Sequence, residues 1–127
     1  MMIMKKTIFI GLTMLLLAGC SSGYKDGTYE GKSGTNESGD YSTVEITLQN
    51  NLITACEFKT YESNGELKGE EYAKSAEEAA VAVESVSEYE KRLVQAGDIS
   101  EVDAISGATE NYNQLNEAVY DALGKAK

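Results

Sequence analysis

Tyr41-Ser42-Thr43-Val44-Glu45-Ile46-Thr47-Leu48-Gln49-Asn50-Asn51-Leu52-Ile53-Thr54-Ala55-Cys56-Glu57-Phe58-Lys59-Thr60-Tyr61 is the stretch whose reading decides the fold. Val44, Ile46 and Leu48 alternate with Thr43, Glu45 and Thr47, the period-two pattern of a strand with one buried face. Asn50-Asn51 tolerates the left-handed angles of a tight turn, and Leu52 to Tyr61 returns as a second strand, so the pair reads as a β-hairpin. Cys56 falls among these strand residues. It reads as a small buried hydrophobe in preference to a redox thiol.

Outward from the hairpin, Tyr24 to Gly31 opens with an Asp-Gly turn signal and reads as a short first strand. Lys32 to Asp40 is rich in Gly, Ser, Thr and Asn, a loop that either stays mobile or folds over a ligand. After the hairpin, Asn64-Gly65 is a further turn, and Glu66 to Tyr72 reads as another extended segment. Ser75-Ala76-Glu77-Glu78 has capping-box spacing ahead of a helix from about Ala76 to Gln95. Ala79, Ala80, Val83, Val86 and Leu93 or Val94 share its apolar stripe, Glu77, Glu84, Glu88 and Lys91 stay wet, and Gly97 ends it. Ile99 to Ile105 reads as a short strand back to the sheet, with Val102 and Ile105 buried. A last helix starts at Thr109, where Tyr112, Leu115, Ala118, Val119, Ala122 and Leu123 recur at three- and four-residue steps. The expectation is a single α+β domain, a small mainly antiparallel sheet with a hairpin and two helices packed on it.

Between the last extended segment and the last helix lies Asp103-Ala104-Ile105-Ser106-Gly107-Ala108-Thr109. Gly107 opens backbone angles closed to other residues, Ala108 adds only a methyl, and the bend presents Thr109 at a helix start. Unpaired N–H groups and about half a positive charge at such a start favour a phosphate. Helix capping is the plainer reading of the same residues.

This run resembles the D-x-x-[ST]-G-A-T motif of the FMN-binding domain family, which includes extracytoplasmic subunits of sodium-pumping NADH:quinone oxidoreductases and of Rnf-type electron-transport complexes. The resemblance implies that a flavin transferase joins FMN to Thr109 through a phosphoester. Asp103 matches the acidic position, and Ser106, Gly107 and Ala108 match the small-residue bend. Where the family often has a hydroxyl residue two places after the Thr, this chain has Asn111. A second similarity, Asp26-Gly27-Thr28-Tyr29-Glu30-Gly31, matches the D-G-x-Y-x-G segment that commonly begins the family's domain, so the resemblance covers most of the chain after residue 23.

Lys5 and Lys6, the apolar run Thr7 to Leu17, and Leu17-Ala18-Gly19-Cys20 read as a secretion signal, and the last four residues resemble the bacterial lipobox. Residues 1–19 are then a leader, Cys20 the lipidated mature N-terminus, 20–23 the tether, and 24–127 the FMN-binding domain. No later stretch approaches the ~20 apolar residues of a membrane span. The chain has 11 basic and 21 acidic residues, and without Lys5 and Lys6 the balance is 9 against 21, or −12. So acidic a surface argues against nucleic acid and against lying flat on anionic lipid.

There is no His, which removes the usual imidazole metal ligands and Ser-His-Asp or Cys-His hydrolase chemistry. No metal site and no catalytic residue are assigned. The leading expectation is an electron carrier rather than a self-contained enzyme, held by lipid at the outer face of the cytoplasmic membrane or the cell surface. Its electrons would come from a membrane quinone-linked dehydrogenase or another redox partner. A module holding FMN or another ligand noncovalently, or a surface interaction protein without flavin, stays open.

Overall fold

The computed structural model describes residues 23–127. The expected leader and Cys20, the expected lipidation site, fall outside them. Three strands, β1 (Gly27–Lys32), β2 (Tyr41–Gln49) and β3 (Leu52–Tyr61), form one antiparallel sheet in the order β1-β2-β3. A one-turn helix α1 (Glu70–Ala73) precedes the two main helices α2 (Glu77–Ala96) and α3 (Thr109–Lys125). This is the expected α+β domain, with both long helices on one face of the sheet.

The hairpin forms as its sequence dictates. Asn50 and Asn51 both take positive φ, 53° and 69°, the two-residue turn whose twist matches the flanking strands. Val44, Ile46 and Leu48 are buried on the helix side. A bulge follows the turn: Leu48 faces Ile53 but Thr47 faces Ala55, so Thr54 is an extra residue on β3. It switches the parity of the strand, letting Ile53 and then Cys56, Phe58 and Thr60 all face inward. Against these pack Tyr89 and Leu93 of α2, Ile99, and Leu115, Ala118, Val119 and Ala122 of α3. Each large side chain so buried contributes about 1.5–3 kcal/mol.

Helix α3 lies so close to β1 that a Cβ on Gly31 would sit 1.9 Å from the Ala118 carbonyl oxygen. It also covers the outer edge of β1. Glu117 Oε1 accepts from the Gly34 N–H at 2.9 Å, Asp121 Oδ2 accepts from the Lys32 N–H at 3.0 Å, and Lys125 Nζ donates to the Glu30 carbonyl at 2.7 Å. The opposite edge is closed by α2 and its C-terminus: the Phe58 N–H donates to Glu90 Oε2 at 2.7 Å and the Ile53 N–H to the Gly97 carbonyl at 2.9 Å. Backbone groups that would otherwise template another strand are thus satisfied by helix side chains and a helix cap.

Five expectations are corrected. Ile99 to Ile105 is no strand: Ile99–Glu101 is a 3₁₀ turn with Asp98 accepting from the Ser100 N–H, and the rest runs extended outside the sheet. On the β3 edge the Gly97 carbonyl and the Glu90 carboxylate already take the Ile53 and Phe58 N–H groups. Glu66 to Tyr72 contributes a single bridge, Leu67 to Tyr61, before α1 begins at Glu70. The capping box does not form, because the Ser75 hydroxyl donates to the Tyr72 carbonyl and Ala76 stands at the N-cap. The α2 stripe runs through Ala79, Ser85, Tyr89 and Leu93, leaving Val94 exposed and Val83 half-buried. Gly97 does end that helix, at φ 75°. The first strand starts at Gly27 rather than Tyr24.

Candidate functional site

Asp103 to Thr109 crosses the start of α3 as a tight bend. The Ala108 N–H donates to the Ile105 carbonyl at 2.9 Å, Gly107 sits at φ +83°, and Thr109 is the first residue of a 17-residue helix. Asp103, Ser106, Gly107 and Thr109 are exposed, whereas Ala108 is buried in the core. The first helical hydrogen bond runs from the Tyr112 N–H to the Ala108 carbonyl at 3.2 Å. The N–H groups of Thr109, Glu110 and Asn111 therefore have no partner within the helix. The bend thus brings together an exposed hydroxyl, a residue without a side chain and the positive end of a helix.

Beneath the bend stands Tyr89, 0 % exposed. Its hydroxyl donates to the Ala108 carbonyl at 2.9 Å and accepts from the Ile105 N–H at 2.8 Å. Its ring meets Phe58 edge-on at 6.4 Å and tilts against Tyr112 at 6.3 Å. Burial pushes the Tyr89 phenol above its ordinary pKa, so it keeps the proton it donates to Ala108. Asn111, 4 % exposed, donates from Nδ2 to the Ala82 carbonyl at 2.8 Å and to Ser85 Oγ at 3.0 Å, tying the first turn of α3 to α2. The position where the family often carries a hydroxyl thus holds an amide that joins the two helices.

The Lys32 to Asp40 loop is tied down by its own turn and by α3. Asn36 Oδ1 accepts from the Ser38 and Asp40 N–H groups, and Gln114 donates to the Asp40 carbonyl at 3.1 Å while accepting from the Ser42 hydroxyl. Asp40 Oδ2 also pairs with Lys68 Nζ at 2.8 Å. Thr35, Asn36, Glu37 and Ser38, with Glu110, line a shallow open depression of about 760 Å³ beside the start of α3. A second concavity, about 380 Å³, lies on the sheet face away from the helices and far from the bend.

Cys56 is half-buried against the core, with its thiol pushed up to about 12 by burial and by the nearby Glu90 and Glu57 carboxylates. A thiol that stays protonated is a poor nucleophile and packs as a small hydrophobe. Tyr89, Ser85 and Asn111 escaped the sequence reading. The spacing Val86, Tyr89, Leu93 carried a signal for the first of them, since Tyr89 completes that stripe.

The fold and the bend define a small α+β domain that offers a helix-start hydroxyl. Residues 39–124 match the FMN-binding domain family, and the chain belongs to that family. It therefore carries an FMN-binding domain, with FMN as the cofactor. The CPE2226 protein from Clostridium perfringens, known from a crystal structure, has the same fold, at TM-score 0.67 and 22% identity over 81% of this chain and 88% of that one. A solution NMR structure of a Clostridium thermocellum protein aligns at 22% identity over 77% of this chain and 92% of that one, with a TM-score of 0.43. No curated protein matches the chain.

Proposed function

We propose that this domain carries FMN covalently on Thr109 and serves as an electron carrier, anchored through lipid on Cys20 outside the cytoplasmic membrane. The observation that carries the reading is Thr109 itself, exposed at the first position of α3 in an FMN-binding domain. The depression beside it, lined by Thr35 to Ser38 and Glu110, is open and does not enclose a ligand, so a covalent bond would keep the flavin in place.

Forming the phosphoester needs an activated flavin, a flavin phosphoanhydride brought by the transferase. Thr109 Oγ bonds to the phosphorus on the FMN side, the P–O–P bond breaks, the nucleoside monophosphate leaves, and the hydroxyl proton passes to a base of the transferase. The N–H groups of Thr109, Glu110 and Asn111, which have no partner within the helix, would hold the phosphate. Gly107 adds no side chain to the bend, and exposed Asp103 would be within reach of the transferase. Once attached, the flavin supplies one- and two-electron redox chemistry.

The test is an intact-mass measurement on protein exported together with a flavin transferase. One flavin phosphate should be added between Asp103 and Asn111, and Thr109→Val should abolish it without unfolding the domain. In the same cells Cys20→Ala should release the protein from the membrane or leave its leader uncleaved. An unmodified Thr109 with freely exchangeable flavin would favour the noncovalent module instead.

A further inference from the structure

We infer that Tyr89 is the positioning residue for flavin transfer, its buried hydroxyl fixing the two peptide planes that flank the bend; this rests on the reading of Thr109 as the flavin acceptor. The Ala108 carbonyl and the Thr109 N–H belong to one planar trans peptide and point in opposite directions. That carbonyl takes two bonds, from the Tyr112 N–H of α3 at 3.2 Å and from the phenol at 2.9 Å, and together they hold the Thr109 N–H outward. The phenol also acts at the other end. The Ile105 N–H is held inward at 2.8 Å, so the Ala104 carbonyl faces out.

Between these two anchors lie only Ser106 and Gly107, and both are exposed. The backbone bond from the Ala108 N–H to the Ile105 carbonyl closes the turn, but a turn closed by one bond still rocks as a unit about its ends. The phenol supplies a second closure from below, and its ring is gripped by Phe58 and Tyr112. Tyr89 touches neither flavin nor transferase. It acts through Ala108 and Ile105 on where the Thr109 oxygen stands, and group transfer is sensitive to that placement.

Tyr89→Phe keeps the ring and deletes only the hydroxyl. The full chain, made without the transferase, is offered to a purified flavin transferase with flavin adenine dinucleotide, and flavin incorporation is followed by intact mass. A shift of the acceptor by a fraction of an ångström should lower kcat for incorporation about tenfold, while KM for the protein stays within about twofold because Asp103 and Ser106 remain exposed. Val119→Ala, a core change on α3 well away from the bend, serves as the matched destabilised control and should be labelled at the wild-type rate.

Independently of any flavin, amide hydrogen exchange on the unloaded wild-type chain should find the Ile105 N–H protected and the Thr109 N–H fast. In Tyr89→Phe the Ile105 amide should exchange at least tenfold faster. Wild-type labelling with equal labelling of Tyr89→Phe overturns the inference alone, as does an equal loss in Val119→Ala. An Ile105 amide that exchanges as fast as that of Ser106 in the wild type overturns it even where Tyr89→Phe does not fold. A wild-type chain that takes no flavin overturns the acceptor reading and this inference with it.

Discussion

Gly31→Ala is the sharpest stability test of the packing. A Cβ at this position would meet the Ala118 carbonyl oxygen at 1.9 Å, the Ala122 nitrogen at 2.7 Å and the Ala118 carbonyl carbon at 3.0 Å. All three are helix backbone, which has no rotamer to turn away. Reaching an ordinary contact near 3.4 Å from 1.9 Å requires a displacement of about 1.5 Å, and a gap of even 0.5–1 Å forfeits a quarter to a half of each van der Waals contact. The lifted segment is the one that seats Leu115, Ala118, Val119 and Ala122, and it also carries Glu117, Asp121 and Lys125 to the β1 edge. Overpacking usually costs about 1–3 kcal/mol, and with the edge hydrogen bonds stretched as well a loss of about 3–5 kcal/mol is expected. Urea unfolding followed by far-UV circular dichroism measures it. Gly34→Ala is the comparison, since its Cβ would meet only the Glu117 carboxylate at 3.4 Å, and it should cost less than about 1 kcal/mol. A loss under about 1 kcal/mol for Gly31→Ala would show that α3 does not rest on this glycine as described.

Two further outcomes follow from the buried titratable groups. The Cys56 thiol is raised from 9.0 to about 12 in the folded chain, so both states hold the proton below pH 9 and only the unfolded state loses it between 9 and 12. Stability should therefore fall as pH rises from 8 to 10.5, and by less in Cys56→Ala; equal falls in both would mean that the folded thiol ionises freely. Lys68 and Asp40 are largely buried side chains paired at 2.8 Å, with the Ser63 N–H on the other Asp40 oxygen at 3.1 Å. Lys68→Met leaves that carboxylate short of its cation and should cost about 2–4 kcal/mol by urea unfolding, with part regained in Lys68→Met/Asp40→Asn. A single variant as stable as the wild type would refute the ion pair's role.

What the sequence made legible is what period and turn chemistry encode. Val44, Ile46 and Leu48 placed β2, Asn50-Asn51 placed its turn, Gly97 ended α2, and the apolar steps from Leu115 to Leu123 placed α3 with its start at Thr109. The bend was legible because Ser-Gly-Ala before a helix is a local signal. Less legible was whatever depends on a partner distant in sequence. The Ile99 to Ile105 run has strand character, yet Gly97 and Glu90 already occupy the edge it would need. Ser75 had a local alternative in the Tyr72 carbonyl, which competed with capping. Ser85, Asn111 and Gln114 look polar on paper and are buried because each finds a hydrogen bond on another element. An apolar count passes over such residues.

The row of contacts along the β1 edge bears on where the acceptor hydroxyl can be. Glu117, Asp121 and Lys125 advance by four residues on the helix, about 6 Å, while Gly34, Lys32 and Glu30 advance by two on the strand, about 6.6 Å, so the two ladders mesh in only one register. The far half of α3 is clamped to β1, while its near end is pinned separately, by Asn111 on α2 and by the Tyr89 hydroxyl under Ala108. One residue inserted between Gln114 and Glu117 would put the two ends about 100° and 1.5 Å out of register, so that keeping the β1 contacts would pull the acceptor end off its Asn111 and Tyr89 anchors. The length of the first two turns of α3 is thereby fixed as tightly as the identity of the residue at its tip.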